Sequence, residues 1–151
     1  MLVLIRGAGD LASGVSLRLH RAGFPVVMTD LPKPTAIRRT VCFSQAIRFG
    51  TTMVEDAEGV CCHTAREVKA ALDAEKIPVL PDETAKCKDW LHPDVLVDGI
   101  LAKKNLGTKM SDAPLVIALG PGFCAGRDCH AVIETMRGHT LGRVIWDGEP
   151  L

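Results

Sequence analysis

The sequence predicts an α/β fold, with an open and mostly parallel sheet that has helices on both faces. Short apolar runs recur along the chain at residues 2–5, 25–30, 77–80, 94–98 and 113–119. Runs of this length are typical of parallel strands buried on both faces. Amphipathic helical segments separate several of them, as a parallel connection requires. Four of the runs are followed by, or end in, glycine or aspartate.

The stretch that follows the first strand carries the most specific pattern. Gly7-x-Gly9-x-x-Ala12 lies between a strand and a helix that begins near Asp10. This is the spacing of the dinucleotide-binding fingerprint, in which Ala is allowed at the third place. Gly7 permits the tight turn, Gly9 lets a pyrophosphate approach the backbone, and Ala12 keeps helix and strand close. The free N–H groups of the helix start favour phosphate. The alternative is a glycine turn that binds no ligand.

The second apolar run supports the ligand-binding interpretation. It ends at Asp30, about 20 residues beyond the glycines, where a carboxylate accepts from a ribose hydroxyl in dinucleotide-binding folds. The first two strands and the helix between them therefore predict a Rossmann-like βαβ unit.

Composition limits the class of protein. The chain has 151 residues, 47% hydrophobic and 24% charged, with a formal net charge of zero. We expect a single domain over residues 1–151. The balanced charge argues against a nucleic-acid partner or a membrane-surface patch. No run is long enough to cross a bilayer and no basic leader precedes the first strand, so we expect a cytoplasmic protein.

The six cysteines contain no Cys-x-x-Cys pair, which argues against a zinc ribbon or a thioredoxin-type site. We expect them to be small apolar fillers with reduced thiols. Cys61 and Cys62 should point to opposite faces of a strand. A redox or persulfide role for Cys124 and Cys129 is the alternative.

The middle of the chain is predicted from its turn and cap residues. Thr35 would cap a helix over 36–49 that ends at Gly50, with Arg38 and Arg39 either clamping phosphate or facing solvent. Residues 51–63 predict a β-hairpin or an irregular excursion, and Thr64 starts a short helix. Residues 77–80 predict an edge strand, because Pro78 cannot donate to a ladder. Trp90 is expected in the core.

The last third of the chain adds strand ends and a terminal hairpin. One run ends at Asp98, which either accepts from a ligand hydroxyl or caps the following loop. Another ends at Gly120-Pro121-Gly122, which is either a second backbone approach to a ligand or a tight turn. Residues 130–135 and 142–146 predict two strands of a β-hairpin-like segment, joined through 137–139. Lys103 and Lys104 would face phosphate or solvent.

These strand ends predict one shared site. In open α/β sheets, ligands bind outside the carboxyl ends of the strands, where the winding direction reverses. We therefore expect one crevice at this edge of the sheet. Its predicted cofactor-binding positions are Gly7, Gly9, Asp10, Ala12, Asp30, Asp98, Gly120 and Gly122.

A metal site is a weaker hypothesis. His130 and Glu134 share one face of a predicted strand, and Asp128 would have to supply a third ligand. A His–Glu pair on the protein surface is the favoured interpretation.

Several motifs together resemble a known family. They are RGAGDLASG at 6–14, LHRAGF at 19–24, IRRTV at 37–41, DGILAKKN at 98–105, ALGPGF at 118–123, CHAVIET at 129–135 and RGHTLGRVI at 137–145. The chain resembles the YqeB family of selenium-dependent molybdenum hydroxylase accessory proteins, which are distantly similar to xanthine dehydrogenase maturation factors.

The resemblance implies a partner, a ligand class and a set of positions. The partner would be a molybdenum hydroxylase apoprotein. Gly7, Gly9 and Asp30 would belong to the nucleotide site, with Gly120, Gly122, Asp128 and His130 as further positions without an assigned role. Members extend well beyond Leu151, so this chain would be a short paralogue or the N-terminal half of a longer architecture.

Three hypotheses for the function follow. The first is a maturation protein that binds a molybdopterin dinucleotide or an adenine nucleotide. The second is an NAD(P)-dependent oxidoreductase, with Asp30 selecting NAD and His130 as proton donor. The third is a scaffold or nucleotide sensor that contacts a hydroxylase through Phe123 and Met136. A homodimer would form if an edge strand near Ile77 or Trp146 stays unpaired.

Overall fold

The described residues form an α/β fold built on one nine-stranded sheet. A computed structural model describes residues 1–33 and 42–151. Across the sheet the strand order is β3-β4-β5-β2-β1-β6-β7-β8-β9. The strands are β1 Val3–Arg6, β2 Val26–Asp30, β3 Thr51–Val54, β4 Ala57–Cys61, β5 Ile77–Pro81, β6 Val95–Asp98, β7 Leu115–Leu119, β8 Ala131–Ile133 and β9 Val144–Ile145. The helices are α1 Asp10–Arg21, α2 Gln45–Phe49, α3 Ala65–Asp73 and α4 Lys88–Leu91, with a 3-10 turn at Met110–Asp112.

The sheet is parallel in its centre and antiparallel at both edges. Seven adjacent strands pair with one another in parallel, in the order β4, β5, β2, β1, β6, β7 and β8. β3 and β9 pair in antiparallel fashion with β4 and β8. The chain winds outward from β1 through β2 to β5, then returns to β6 on the other side of β1. The winding direction therefore reverses between β1 and β6.

The core has two layers because the side chains of each strand alternate between the two faces of the sheet. Val3 and Ile5 pack with α1 and α2 on one face, whereas Leu4 packs with α3 on the other. All three side chains are almost wholly buried. The near-continuous apolar sequence of β1 is thus explained by burial on both sides, and helices lie on both faces as predicted.

The predicted edge strand at 77–80 is wrong in position. β5 lies inside the sheet, between β4 and β2. Pro78 is tolerated there because the pairing with β2 begins one residue later, at Met28 and Val79. The other side of β5 pairs with β4, the second strand of the predicted hairpin, so this hairpin supplies the edge instead.

The structure confirms several predictions that rest on turn and cap residues. Thr64 caps α3 by accepting a hydrogen bond from the Glu67 N–H at 3.2 Å. α2 ends at Phe49 and is followed by Gly50, as expected, but it begins only at Gln45, so residues 42–44 of the helix predicted over 36–49 are not helical. Thr35, Arg38 and Arg39 lie outside the described residues. The terminal hairpin is present as β8 and β9.

Two expectations about aromatic side chains are wrong. Trp90 is 41% exposed on the short helix α4, so it is not a core residue. Phe123, which the scaffold hypothesis needs at the surface, is 3% exposed and packs in the core layer of Leu4. Met136 is exposed as expected. Among residues 1–33 and 42–151, no helix is both long and apolar enough to span a membrane.

Candidate functional site

A crevice of about 620 Å³ opens at the carboxyl ends of the central strands. It lies where the winding of the sheet reverses between β1 and β6, which is the ligand-binding position in open α/β sheets. Its volume is in the range of small-molecule sites. The described lining residues are Arg6, Gly7, Ala8, Gly9, Asp10, Leu11, Thr29, Asp30, Leu31, Glu83, Thr84, Gly99, Ile100, Leu101 and Leu106.

The two glycines of the turn serve different purposes. Gly7 has a φ of +99°, and a Cβ there would lie 2.9 Å from the carbonyl oxygen of Gly99. Gly7 is therefore required by the packing of the turn against the end of β6. Gly9 has a φ of −74° and directly precedes α1, and a Cβ on it would meet nothing within 4 Å. Its missing side chain thus leaves open space in the crevice, next to the helix N-terminus.

Ala12, in the first turn of α1, packs closely against the end of β6. It is buried, and a Cβ on Gly99 would lie 3.1 Å from the Ala12 Cβ. The small side chain therefore lets α1 and the end of β6 approach each other, but Ala12 does not line the crevice.

Two carboxylates border the glycine turn. The Asp30 Oδ2 accepts from the Ala8 N–H at 3.3 Å, and its Oδ1 accepts from the Leu31 N–H at 2.8 Å. Burial raises the pKa of the Asp30 carboxyl, and these two hydrogen bonds oppose the rise. Asp10 is exposed at the first position of α1, where a negative charge stabilises the helix dipole. Asp30 retains lone pairs that could accept from a ligand hydroxyl.

The floor of the crevice holds a buried polar network that sequence reasoning missed. The Arg6 Nη1 donates to the Thr108 Oγ1 at 2.8 Å, and this hydroxyl donates to the Asp98 Oδ2 at 2.6 Å. Arg6, Thr108 and Asp98 are 3%, 2% and 1% exposed. The available signal was Arg6 itself, a charged residue at the end of an apolar strand.

Asp98 belongs to this network and not to the lining. Its Oδ1 accepts from the Ile100 N–H at 3.2 Å. The carboxylate thus caps the loop that follows β6, which is one of the two roles that the sequence left open. Through Thr108 it also ties the far end of that loop to β1.

The second glycine pair lies away from the crevice. A Cβ on Gly120 would lie 2.9 Å from both the Leu101 Cδ2 and the Thr135 Oγ1, and one on Gly122 would lie 2.6 Å from the Lys104 Cα. These glycines therefore allow the turn after β7 to pack on the loop after β6. Lys103 and Lys104 are exposed outside the crevice lining.

The three metal candidates are separately engaged. Asp128 pairs with Arg127, and the His130 Nδ1 accepts from the Val116 N–H at 2.9 Å. Glu134 is 2% exposed and accepts from the N–H groups of Met136 and Leu151, so the expected surface pair with His130 is wrong. The described residues contain no group of three metal-ligating side chains close enough to hold an ion.

The cysteines behave as predicted fillers. All six lie in the described ranges, and none forms a disulfide; four are buried, at 42, 62, 87 and 129. Burial raises the pKa of the Cys62 and Cys129 thiols to about 11. Cys61 ends β4 and is half-buried, whereas Cys62, which directly follows the strand, is in the core. Cys124 and Cys129 do not line the crevice.

The comparison with known proteins finds that this chain is similar to part of a longer protein. No family model and no solved structure matches the chain. The chain is 53% identical over 147 residues to the uncharacterized protein YqeB of Escherichia coli strain K12. The matched segment covers 97% of this chain but only 27% of that relative. By sequence, this chain is therefore similar to about a quarter of YqeB.

Proposed function

We propose that the chain binds a nucleotide-containing ligand in the crevice at the carboxyl ends of β1, β2 and β6. One observation carries the proposal. Gly9 adjoins open crevice space at the N-terminus of α1, where backbone N–H groups and the helix dipole favour phosphate. The ligand fits because a side chain that would fill this space is missing and Asp30 stands nearby as an acceptor for a hydroxyl.

The strand order supports a Rossmann-like assignment. β5-β2-β1-β6-β7-β8 reproduces the order 3-2-1-4-5-6 of dinucleotide-binding sheets, with the β3–β4 hairpin added outside β5. The glycine turn follows the first strand of this order, and Asp30 ends the second. Both motifs therefore stand at the places that the dinucleotide-binding fold gives them.

The geometry favours binding over hydride-transfer chemistry. Among the described lining residues, the titratable side chains are Arg6, Asp10, Asp30 and Glu83. His130, the proton donor that an oxidoreductase would need, lies outside this lining and accepts a backbone hydrogen bond from Val116. We therefore rank an accessory role above the NAD(P)-dependent oxidoreductase.

The resemblance to hydroxylase accessory proteins extends the proposal. The ligand would be a molybdopterin dinucleotide or an adenine nucleotide, and it would contribute the phosphates. The partner would be a selenium-dependent molybdenum hydroxylase apoprotein. Within the chain, the backbone at Gly9 would hold phosphate and Asp30 would orient a sugar hydroxyl. Pull-down from cells that express such a hydroxylase, with and without added nucleotide, tests the partner. Capture of the hydroxylase subunit supports it, and its absence in both conditions contradicts it.

Ligand-induced thermal shifts test the site. The panel is NAD, NADP, ATP, FAD, CTP and molybdopterin cytosine dinucleotide. A ligand at a hundred times its Kd adds about 2.7 kcal/mol to the free energy of unfolding. We expect Gly9→Asp to abolish the shift because the new side chain occupies the phosphate position and repels the anion.

Gly14→Asp is the matched control. Gly14 is exposed on α1, and a Cβ on it would meet nothing within 4 Å. It adds the same charge away from the crevice, so binding should persist. Equal loss in both variants, or no shift with any ligand in the wild-type protein, would contradict the proposal.

A further inference from the structure

One crevice residue has no part in the proposed contacts with phosphate and sugar. Arg6 ends β1 and lies on the crevice floor, 3% exposed. It is the one cationic side chain among the described lining residues. It directly precedes Gly7, so it lies at the reversal point of the sheet.

The hydrogen bonds of Arg6 leave part of its donor capacity unused. Nη1 makes a good bond to Thr108, at 2.8 Å. Nη2 makes two long bonds, to the carbonyl oxygens of Leu106 at 3.2 Å and Glu83 at 3.3 Å. Nε is shielded from solvent and has no partner among the described residues. Because N–H···O bonds are usually near 2.9–3.0 Å, both hydrogen bonds of Nη2 are weak. Their acceptor residues, Glu83 and Leu106, both line the crevice.

This arrangement is unfavourable without a ligand. A buried guanidinium needs hydrogen-bond acceptors for its five N–H groups, and an unpaired buried donor loses the hydration it had in water. Asp98 balances the charge only through the Thr108 hydroxyl, because Thr108 stands between the two groups. A ligand oxygen placed between Glu83 and Leu106 would supply the hydrogen-bond acceptor that the protein does not.

The side of the sheet locates this contact relative to the phosphates. Arg6 alternates with Ile5, so it points to the face of Leu4 and α3, while the glycine turn leads into α1 on the other face. A ligand that contacts both must pass over the end of β1. Arg6 therefore addresses a different part of the ligand from the part held at Gly9.

We propose that Arg6 is a specificity-determining residue that binds an oxygen acceptor, a carboxylate or a carbonyl, in the part of the ligand beyond its phosphates. This inference rests on the proposed nucleotide-binding function. The ligand oxygen replaces the long contacts of Nη2 and, with a small shift of the guanidinium, satisfies Nε. The ligand class is accordingly a nucleotide conjugated to an oxygen-bearing group, as opposed to a simple nucleoside diphosphate.

Nuclear magnetic resonance of the wild-type protein tests this without any variant. The reporters are the backbone amide of Gly9 and the side-chain Nε–H of Arg6. The probes are ADP, NAD, nicotinic acid adenine dinucleotide and molybdopterin cytosine dinucleotide. We expect ADP to shift the Gly9 amide alone. A dinucleotide that shifts the Gly9 amide should also move the Arg6 Nε–H downfield and slow its exchange with solvent.

The two possible failures are distinct. If no probe shifts the Gly9 amide, the proposed function fails, and this inference fails with it. If dinucleotides shift the Gly9 amide while the Arg6 signal stays unchanged, or if ADP moves both signals equally, the proposed function stands and the role of Arg6 is overturned.

Affinities of two variants separate ligand contact from loop support. Arg6→Lys keeps the charge but loses Nε and the planar donors. We expect it to bind a dinucleotide about tenfold more weakly while its affinity for ADP is unchanged. Asn105→Ala loosens the same loop, because it removes the side-chain hydrogen bonds to the Thr108 backbone, but it retains Arg6 and the Thr108 hydroxyl, so it should affect both ligands alike. If Arg6→Lys also weakens both ligands alike, Arg6 has only a structural role.

Discussion

A Cβ on Gly7 would lie 2.9 Å from the carbonyl oxygen of Gly99, so the glycine turn and the end of β6 are in backbone contact. The contact is reinforced by a hydrogen bond from the Gly99 N–H to the Arg6 carbonyl at 2.8 Å. Gly9, two residues later, borders open space, because a Cβ on it would meet nothing within 4 Å. One glycine of the motif thus serves the fold and the other leaves room for a ligand.

This division predicts that two alanine substitutions differ in their cost to stability. Gly7→Ala should lower the free energy of unfolding by about 2–3 kcal/mol, because it combines a positive φ with a backbone clash. Gly9→Ala should lower it by at most about 1 kcal/mol, because Gly9 is the N-cap of α1 and Ala is disfavoured there. Urea unfolding of both variants measures the difference.

Gly23→Ala isolates the contribution of the dihedral angle. Gly23 has a φ of +94°, but a Cβ on it would meet nothing within 4 Å. Its cost should be about 1 kcal/mol, from the left-handed conformation alone. A loss in Gly7→Ala no larger than that in Gly23→Ala would show that the contact with Gly99 is unimportant.

Asp30→Asn should weaken ligand binding, and it should make the stability of the unliganded protein less dependent on pH. Burial raises the pKa of Asp30 in the folded state. Its contribution to stability is therefore most favourable below the pKa of the unfolded chain and is lost as the pH rises through the folded-state pKa. Loss of the charged acceptor should reduce affinity for a ribose-containing ligand about tenfold.

Urea unfolding at pH 4 and pH 7 measures the stability effect of Asp30→Asn. The free energy of unfolding of the variant, relative to that of the wild-type protein, should be higher at pH 7 than at pH 4. Comparing the two proteins at each pH cancels the titration of the other carboxylates. A relative free energy that is higher at pH 4 would mean that the folded protein favours the ionised form of Asp30.

Thr108→Val should destabilise the protein by about 3 kcal/mol, since it leaves the Asp98 Oδ2 and the Arg6 Nη1 without their partner in a buried site. Thr51→Val serves as the control, because Thr51 is exposed on the edge strand β3 and should change stability by less than about 0.5 kcal/mol. Equal unfolding midpoints for the two variants would show that the network contributes little.

The thiols should differ in their reaction with iodoacetamide at pH 8. The thiolate is the reactive form, and the pKa of Cys62 and Cys129 is about 11 in buried sites. Mass spectrometry of the native protein should find label first on the half-buried Cys61 and Cys124, whereas the denatured protein should be labelled on all six. Early labelling of Cys129 would indicate that its surroundings open readily.

Much of the framework could be predicted because it depends on local pattern. The short apolar runs indicated the parallel strands, and Thr64 and Gly50 marked helix ends through capping geometry. The hairpin of β3 and β4 followed from alternation around a turn. In each case the deciding interactions lie within a few residues of one another in the chain, so the sequence order alone exposes them.

Errors arose where the deciding contacts are distant in sequence. Pro78 predicted that β5 would be an edge strand, but β4, from the hairpin that precedes β5 in the chain, pairs with it. Phe123 and Trp90 were assigned to the wrong surroundings, because burial depends on which elements pack over them. Glu134 is buried, and its carboxylate accepts from the N–H of Leu151, 17 residues later in the chain.

The sequence by itself determined the α/β class, the glycine turn before α1 and the acidic residue at the end of β2. These depend on hydrophobic periodicity and on backbone freedom at glycine, which are properties of short segments. Only the tertiary structure decided that Gly120 and Gly122 pack against a loop and that Arg6, Thr108 and Asp98 meet beneath the crevice. That meeting joins residues about a hundred positions apart, because the return of the chain from β5 to β6 places β6 beside β1.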